Sequence, residues 1–179
     1  MRLFLSMLDR LFVIVGALLG VQIPLFMQQY MQRLAGHVAE LNRVLNNLRE
    51  LAFQSNKTLE EYIAKFLANP DLDFSRQGEF MLGVESRWRH LSLALENMSA
   101  SSIWMRPYLF LRDLQPEIAK PVFYSFEPGL NLTLEGLAYA VLGAVLGFCL
   151  YQALCKGVSA IFHTLKSLIK RIMLDYSKT

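Results

Sequence analysis

The sequence predicts an all-α membrane protein: two transmembrane helices flanking a periplasmic antiparallel helical hairpin, followed by a basic amphipathic C-terminal helix. Three observations predict it. Two charge-free apolar runs, residues 11–27 and 137–154, stand towards opposite ends of the chain. Between them, apolar residues recur at steps of three and four along two long stretches. The composition, 54% hydrophobic and 18% charged over 179 residues, lies on the membrane side of the soluble range.

The first run is seventeen residues long. As a helix it reaches about 26 Å, enough for a hydrocarbon core with help from its flanks. Arg2 and Arg10 precede it, as they would a signal peptide. No A-x-A cleavage pattern follows, and the helical pattern continues past the run, so a retained span is expected. Residues 1–10 form a cytoplasmic N-terminus in this reading. Gly16 and Gly20, four apart, suit close helix packing in lipid. Gln22 and Pro24 mark the exit, where proline predicts a kink and the glutamine can hydrate or bond a neighbouring helix.

Residues 28–131 form the predicted periplasmic domain. Met27, Met31, Leu34, Val38, Leu41, Leu45, Leu48 and Ala52 make a heptad seam continuous with the first span, so residues 28–53 are helical. Thr58 and Glu61 form a capping box that opens a short helix over about 59–68, closed by Asn69-Pro70. A third helix, about 75–101, carries Met81, Val84, Trp88, Leu91, Leu95 and Met98 on one face. The two long seams can bury one another as the hairpin, with the short helix near its tip.

Residues 106–131 are different in texture. Pro107, Pro116, Pro121 and Pro128 stand among aromatics, which predicts a connector of turns and extended segments. Trp104, Tyr108, Phe110, Phe123, Tyr124 and Phe126 suit the membrane–water interface. Pro128-Gly129 predicts a turn, and Thr133 a cap on the second span.

The second span is placed over residues 132–155. Its charge-free core repeats the glycine spacing with Gly143 and Gly147, and Gly136, Ala140 and Ala144 add a stripe of small residues. Gly16, Gly20, Gly136, Ala140, Gly143 and Gly147 are therefore the predicted packing residues within the membrane. Cys149 and Cys155 point to different helix faces and are predicted to be free thiols. Residues 156–179 form the amphipathic helix, whose Lys156, Lys166, Lys170 and Arg171 suit an anionic membrane surface.

Basic residues outside both spans predict two cytoplasmic termini. Residues 28–132 are near neutral, with eleven Lys/Arg against twelve Asp/Glu. The net charge of +3, without a basic tract interleaved with aromatics, gives no footprint for nucleic acid. His37, His90 and His163 fall in three different helices, and no metal, phosphate-loop or nucleophile spacing accompanies them. No catalytic residue, metal or cofactor is predicted. Arg87, Arg89 and His90 could hold an anion, but a charged helix face flanking a buried Trp88 explains them better.

Asp9-Arg10, Gly16, Gly20, Gln22, Pro24, Tyr30, Arg33-Leu34 and Gly36-His37 at the front carry a resemblance. Pro128-Gly129, Thr133, Glu135-Gly136, Tyr139, Gly143 and Gly147 carry it at the back. These stretches resemble a family of short proteobacterial inner-membrane proteins classed as a domain of unknown function. The resemblance covers about half the chain, and it implies a bacterial envelope location and no chemistry. Asn131 departs from it where a proline would be expected.

The predicted function is a non-enzymatic inner-membrane structural or accessory role in an envelope assembly. Its partners are the lipid bilayer and other proteins, or a second copy of the chain. The alternative is a periplasmic ligand-sensing module. The short segment after the second span would oblige such a sensor to signal through a separate partner.

Overall fold

The computed structural model describes the backbone of residues 2–130 and 132–176, and the side chains of residues 7–130 and 132–158. Among the described residues there are six helices and no strand. They are α1 (Arg2–Gln54), α2 (Leu59–Leu67), α3 (Leu72–Ala100), α4 (Arg106–Arg112), α5 (Pro116–Tyr124) and α6 (Leu134–Tyr176). The chain divides into two compact units, one of Met1–Leu25 with Pro128–Thr179 and one of Phe26–Glu127. Helix α1 contributes residues to both.

In the first unit the early part of α1 pairs with the early part of α6. Met7–Gln54 and Leu134–Val158 each contain a window long and apolar enough to cross a membrane. Only 22% and 11% of those windows is buried inside the protein. A soluble core helix of that length would be covered by its own fold. Here Leu11, Ile14, Leu18 and Leu19 on α1, and Val141, Val145 and Leu146 on α6, face outward.

The second unit is built on two apolar clusters. Tyr30 and Leu34 of α1 meet Leu91, Ala94 and Met98 of α3 and Ile118 and Val122 of α5. Leu45 of α1 meets Leu59 and Ile63 of α2 and Met81 of α3. Early residues of α1 thus face late residues of α3, and later residues face earlier ones: the two helices run antiparallel. Every α1 seam residue from Met27 to Ala52 is buried or half-buried, and so is every α3 seam residue from Met81 to Met98.

The ends of these helices follow local chemistry. Asn56 adopts φ 55°, the left-handed conformation that asparagine tolerates better than most residues. It lets Lys57 N–H reach the Ala52 carbonyl at 3.0 Å and Asn56 N–H the Phe53 carbonyl at 2.9 Å, a Schellman stop for α1. Thr58 then opens α2 with a reciprocal capping box: its hydroxyl accepts from Glu61 N–H at 3.2 Å, and Glu61 accepts from Thr58 N–H at 2.9 Å. Asp71 caps α3 by accepting from Asp73 N–H, so that helix begins at Leu72, three residues earlier than its periodicity predicts.

The largest departure from the sequence reading lies in residues 106–131. That segment contains two helices, α4 and α5, instead of turns and extended chain. Two of its prolines stand where a helix tolerates them, whereas Pro121 lies inside α5. Pro107 and Pro116 occupy the first turns of the two helices, where a backbone N–H has no intrahelical acceptor to lose. Ile118 and Val122, one turn apart, then anchor α5 in the core.

Candidate functional site

Gly16 and Gly20 on α1 face Gly143 and Gly147 on α6. A Cβ placed on Gly16 would fall on the carbonyl oxygen of Gly143, with the Cα of Gly147 3.1 Å away. One on Gly20 would fall on the carbonyl oxygen of Tyr139 and lie 3.2 Å from the Cα of Gly143. One on Gly147 would fall on the carbonyl oxygen of Phe12. The two backbones therefore touch, and no side chain can be inserted between them without moving a helix. The Phe12 and Tyr151 rings, 5.6 Å apart, extend the contact beyond the glycines.

Gln22 adds a polar clamp at the edge of this unit. Its Nε2 donates to the Gly129 carbonyl at 3.2 Å and to the Leu18 carbonyl at 3.1 Å. Its Oε1 accepts from Gly129 N–H at 3.3 Å. One side-chain amide thus satisfies both backbone groups of the residue that leads the chain into α6. Gly129 leaves space there, since a Cβ would press on Leu25 at 3.3 Å. The Thr133 hydroxyl accepts from Gly136 N–H at 3.1 Å and caps α6. Gly136 is buried and Ala140 half-buried. They line a shallow apolar hollow with Val21, Leu130 and Leu137, of ≈ 320 Å³.

The seam residues Leu34, Leu45, Met81 and Leu91 lie inside the second unit's two clusters. Val38, Leu41 and Leu95 pack against the first cluster, and Leu48, Val84 and Trp88 against the second. The basic Lys156 lies on α6. The side chains of Lys166, Lys170, Arg171 and His163 lie outside the described residues, as does Asn131.

The charged group beside Trp88 is occupied by neighbours. Arg87 ion-pairs with Glu117 of α5 at 2.8 Å, and Arg89 with Glu85 at 2.7 Å. Arg49 stacks over the Trp88 ring at 5.9 Å from its centroid. Arg112 holds both carboxylate oxygens of Asp113 at 2.7 Å, which keeps that carboxyl below its ordinary range. Cys149 and Cys155 are free thiols. Among the described residues no three His, Cys, Asp or Glu side chains converge as metal ligands.

Three polar contacts join partners that the sequence did not reveal. Gln22 reaches Gly129 across 107 residues, and Gln29 Nε2 donates to the Glu127 carbonyl at 3.0 Å across 98. The buried Tyr30 hydroxyl accepts from Gln115 N–H at 2.9 Å, holding the start of α5 to α1. Gln22 and Tyr30 figured in the resemblance, but neither spacing nor periodicity reveals what a side chain will meet a hundred residues on.

The family model for a protein of unknown function, DUF2937, matches residues 4–164. The chain belongs to that family. No curated protein and no solved structure matches it. The DUF2937 match includes both glycine pairs and both core clusters, so it extends well beyond the two stretches that carried the resemblance.

Proposed function

We propose that this chain is a two-pass protein of the bacterial inner membrane. Both termini are cytoplasmic, residues 28–131 are periplasmic, and the protein acts without catalysis through helix-mediated contacts in an envelope assembly. The observation that carries the reading is the glycine crossing between two helices whose remaining faces are apolar and exposed. In water those faces would be a large uncovered patch, whereas in lipid they are solvated. Helices in lipid gain nothing from hiding apolar side chains against each other, so backbone-close packing at small residues supplies the contact. Because Gly16, Gly20, Gly143 and Gly147 are used within one chain, association with another copy or partner falls to other surfaces.

Exposed apolar side chains of the second unit offer themselves for it: Phe53 of α1 and Leu72 and Phe80 of α3 are 76%, 61% and 61% exposed, without lipid to account for them in the proposed topology. Crosslinking in native membranes, followed by identification of the attached proteins, tests the proposal. A discrete adduct that weakens in a Phe53→Ser, Phe80→Ser variant is the expected result. Recovery of the uncrosslinked chain alone, under several reagent chemistries, would remove its support.

A further inference from the structure

The fold sorts the aromatics of residues 104–126 into two sets. Phe110 and Phe126 turn inward: both meet the Phe26 ring edge-on, at 6.1 and 5.6 Å, and Phe110 meets Tyr30 at 5.1 Å. Trp104, Tyr108, Phe123 and Tyr124 turn outward, at 77%, 60%, 71% and 87% exposure, and Leu111 joins them. Trp104, Tyr108 and Leu111 stand at i, i+4 and i+7, one side of α4 and the turn before it. Leu109 of α4, and Leu114 just beyond that helix, pack on the core.

We propose that this outward set is an interfacial foot, seated in the headgroup layer of the outer leaflet of the chain's own membrane. The inference rests on the transmembrane reading above. Its chemistry is that of the interface, where tryptophan and tyrosine place an apolar ring and a polar edge at headgroup depth. Its position follows from connectivity within the second unit. The chain enters that unit at Phe26 and leaves it at Glu127, and Gln29 ties the two points together through the Glu127 carbonyl. Since Phe26 touches both Phe110 and Phe126, α4 and α5 stand at the end of the unit that the apolar segments join.

A shallow groove between α4 and α5 completes the foot. It measures ≈ 260 Å³, is walled by Phe110, Leu114, Ala119, Phe123 and Tyr124, and has Lys120 on its lining. A phospholipid fits that combination: part of an acyl chain lies along the aromatic walls while the ammonium meets the phosphate.

The test uses the full chain in phosphatidylethanolamine–phosphatidylglycerol vesicles containing phosphatidylcholine brominated high on its acyl chains. The protein has two tryptophans, and Trp88 lies under Arg49 beside the Leu45–Met81 cluster. Bromolipid is expected to remove about half of the wild-type emission, the share of an interfacial Trp104. It is expected to remove none from Trp104→Phe, a change at an exposed position that leaves the core intact. Unquenched wild-type protein that still floats with the vesicles overturns the foot and leaves the transmembrane reading standing. Equal quenching of wild type and Trp104→Phe overturns it too. Protection of Trp104 from bromolipid, with crosslinking between copies through Trp104→Cys, assigns the patch to a second copy and likewise overturns it. Failure to float overturns the transmembrane reading itself.

Discussion

Gly16 and Gly143 exclude one another's side chains: a Cβ on either would fall on the other's carbonyl oxygen. The exclusion is reciprocal because the helices cross at these residues, backbone on backbone. Gly143→Leu should therefore force the pair apart, with the roughly 1–3 kcal/mol penalty of overpacking or more, since backbone cannot rotate away as a side chain does. Cysteines placed at Phe12 and Tyr151, in a background lacking Cys149 and Cys155, report the crossing through a short bifunctional thiol reagent. Crosslinking with Gly143 present and its loss in Gly143→Leu is the expected pair of results. Undiminished crosslinking in the variant would show that the helices are held elsewhere.

The clamp at Gln22 makes a more local prediction. Its amide accepts from and donates to Gly129, so Gln22→Leu leaves both backbone groups without that partner. A cost of about 1 kcal/mol is expected for the lost hydrogen bonding. Faster hydrogen exchange at the Gly129 amide should reveal it, while amides around Leu91 in the second unit's core stay protected. Unchanged exchange at Gly129 would mean that the clamp contributes nothing.

How much of this was legible follows from the range of each interaction. The α1 seam could be read because a buried helix face repeats every three or four residues, and Met27 to Ala52 sustain that repeat without interruption. The capping box at Thr58 and Glu61 is equally local. Residues 106–131 misled because proline density signals irregular chain, whereas its effect depends on position: Pro107 and Pro116 fall in first turns, where they initiate helices. A single buried pair, Ile118 and Val122, is too short a pattern to correct that impression. The glycine pairs announced close packing but not their partner, and the Gln22–Gly129 and Tyr30–Gln115 bonds depend on contacts that no local pattern encodes.

The stop at the end of α1 yields a prediction about stability. Asn56 holds φ 55°, where a Cβ costs about 1–2 kcal/mol and asparagine suffers less than alanine. Asn56→Ala should lower the unfolding free energy of the second unit by about 1 kcal/mol, and Asn56→Gly should maintain or raise it. Chemical denaturation followed by helical circular dichroism measures both. The diagnostic result is destabilisation by alanine without destabilisation by glycine; equal destabilisation by the two would argue against a conformational role for this residue.

The remaining prediction is topological, and it separates the proposed arrangement from its inverse. Arg2 and Arg10 precede the first apolar window, and Lys156, Lys166, Lys170, Arg171 and Lys178 follow the charge-free core of the second. The longer middle segment is close to neutral. Inverting the chain would carry that basic tail across the membrane against the potential, at about 2.3 kcal/mol per charge per 100 mV. Single cysteines at Ser6, Gln77 and Ser177, in a background without Cys149 and Cys155, can be probed with a membrane-impermeant thiol reagent in intact spheroplasts. Gln77 is the middle site because it is exposed on α3 and, unlike Asp71, caps nothing. Labelling at Gln77 alone is expected, with all three sites reacting once the membrane is permeabilised. Labelling at Ser177 in intact cells would reverse the topology. A mature chain shortened by the first apolar run would remove the first span, and with it the glycine crossing on which the proposed function depends.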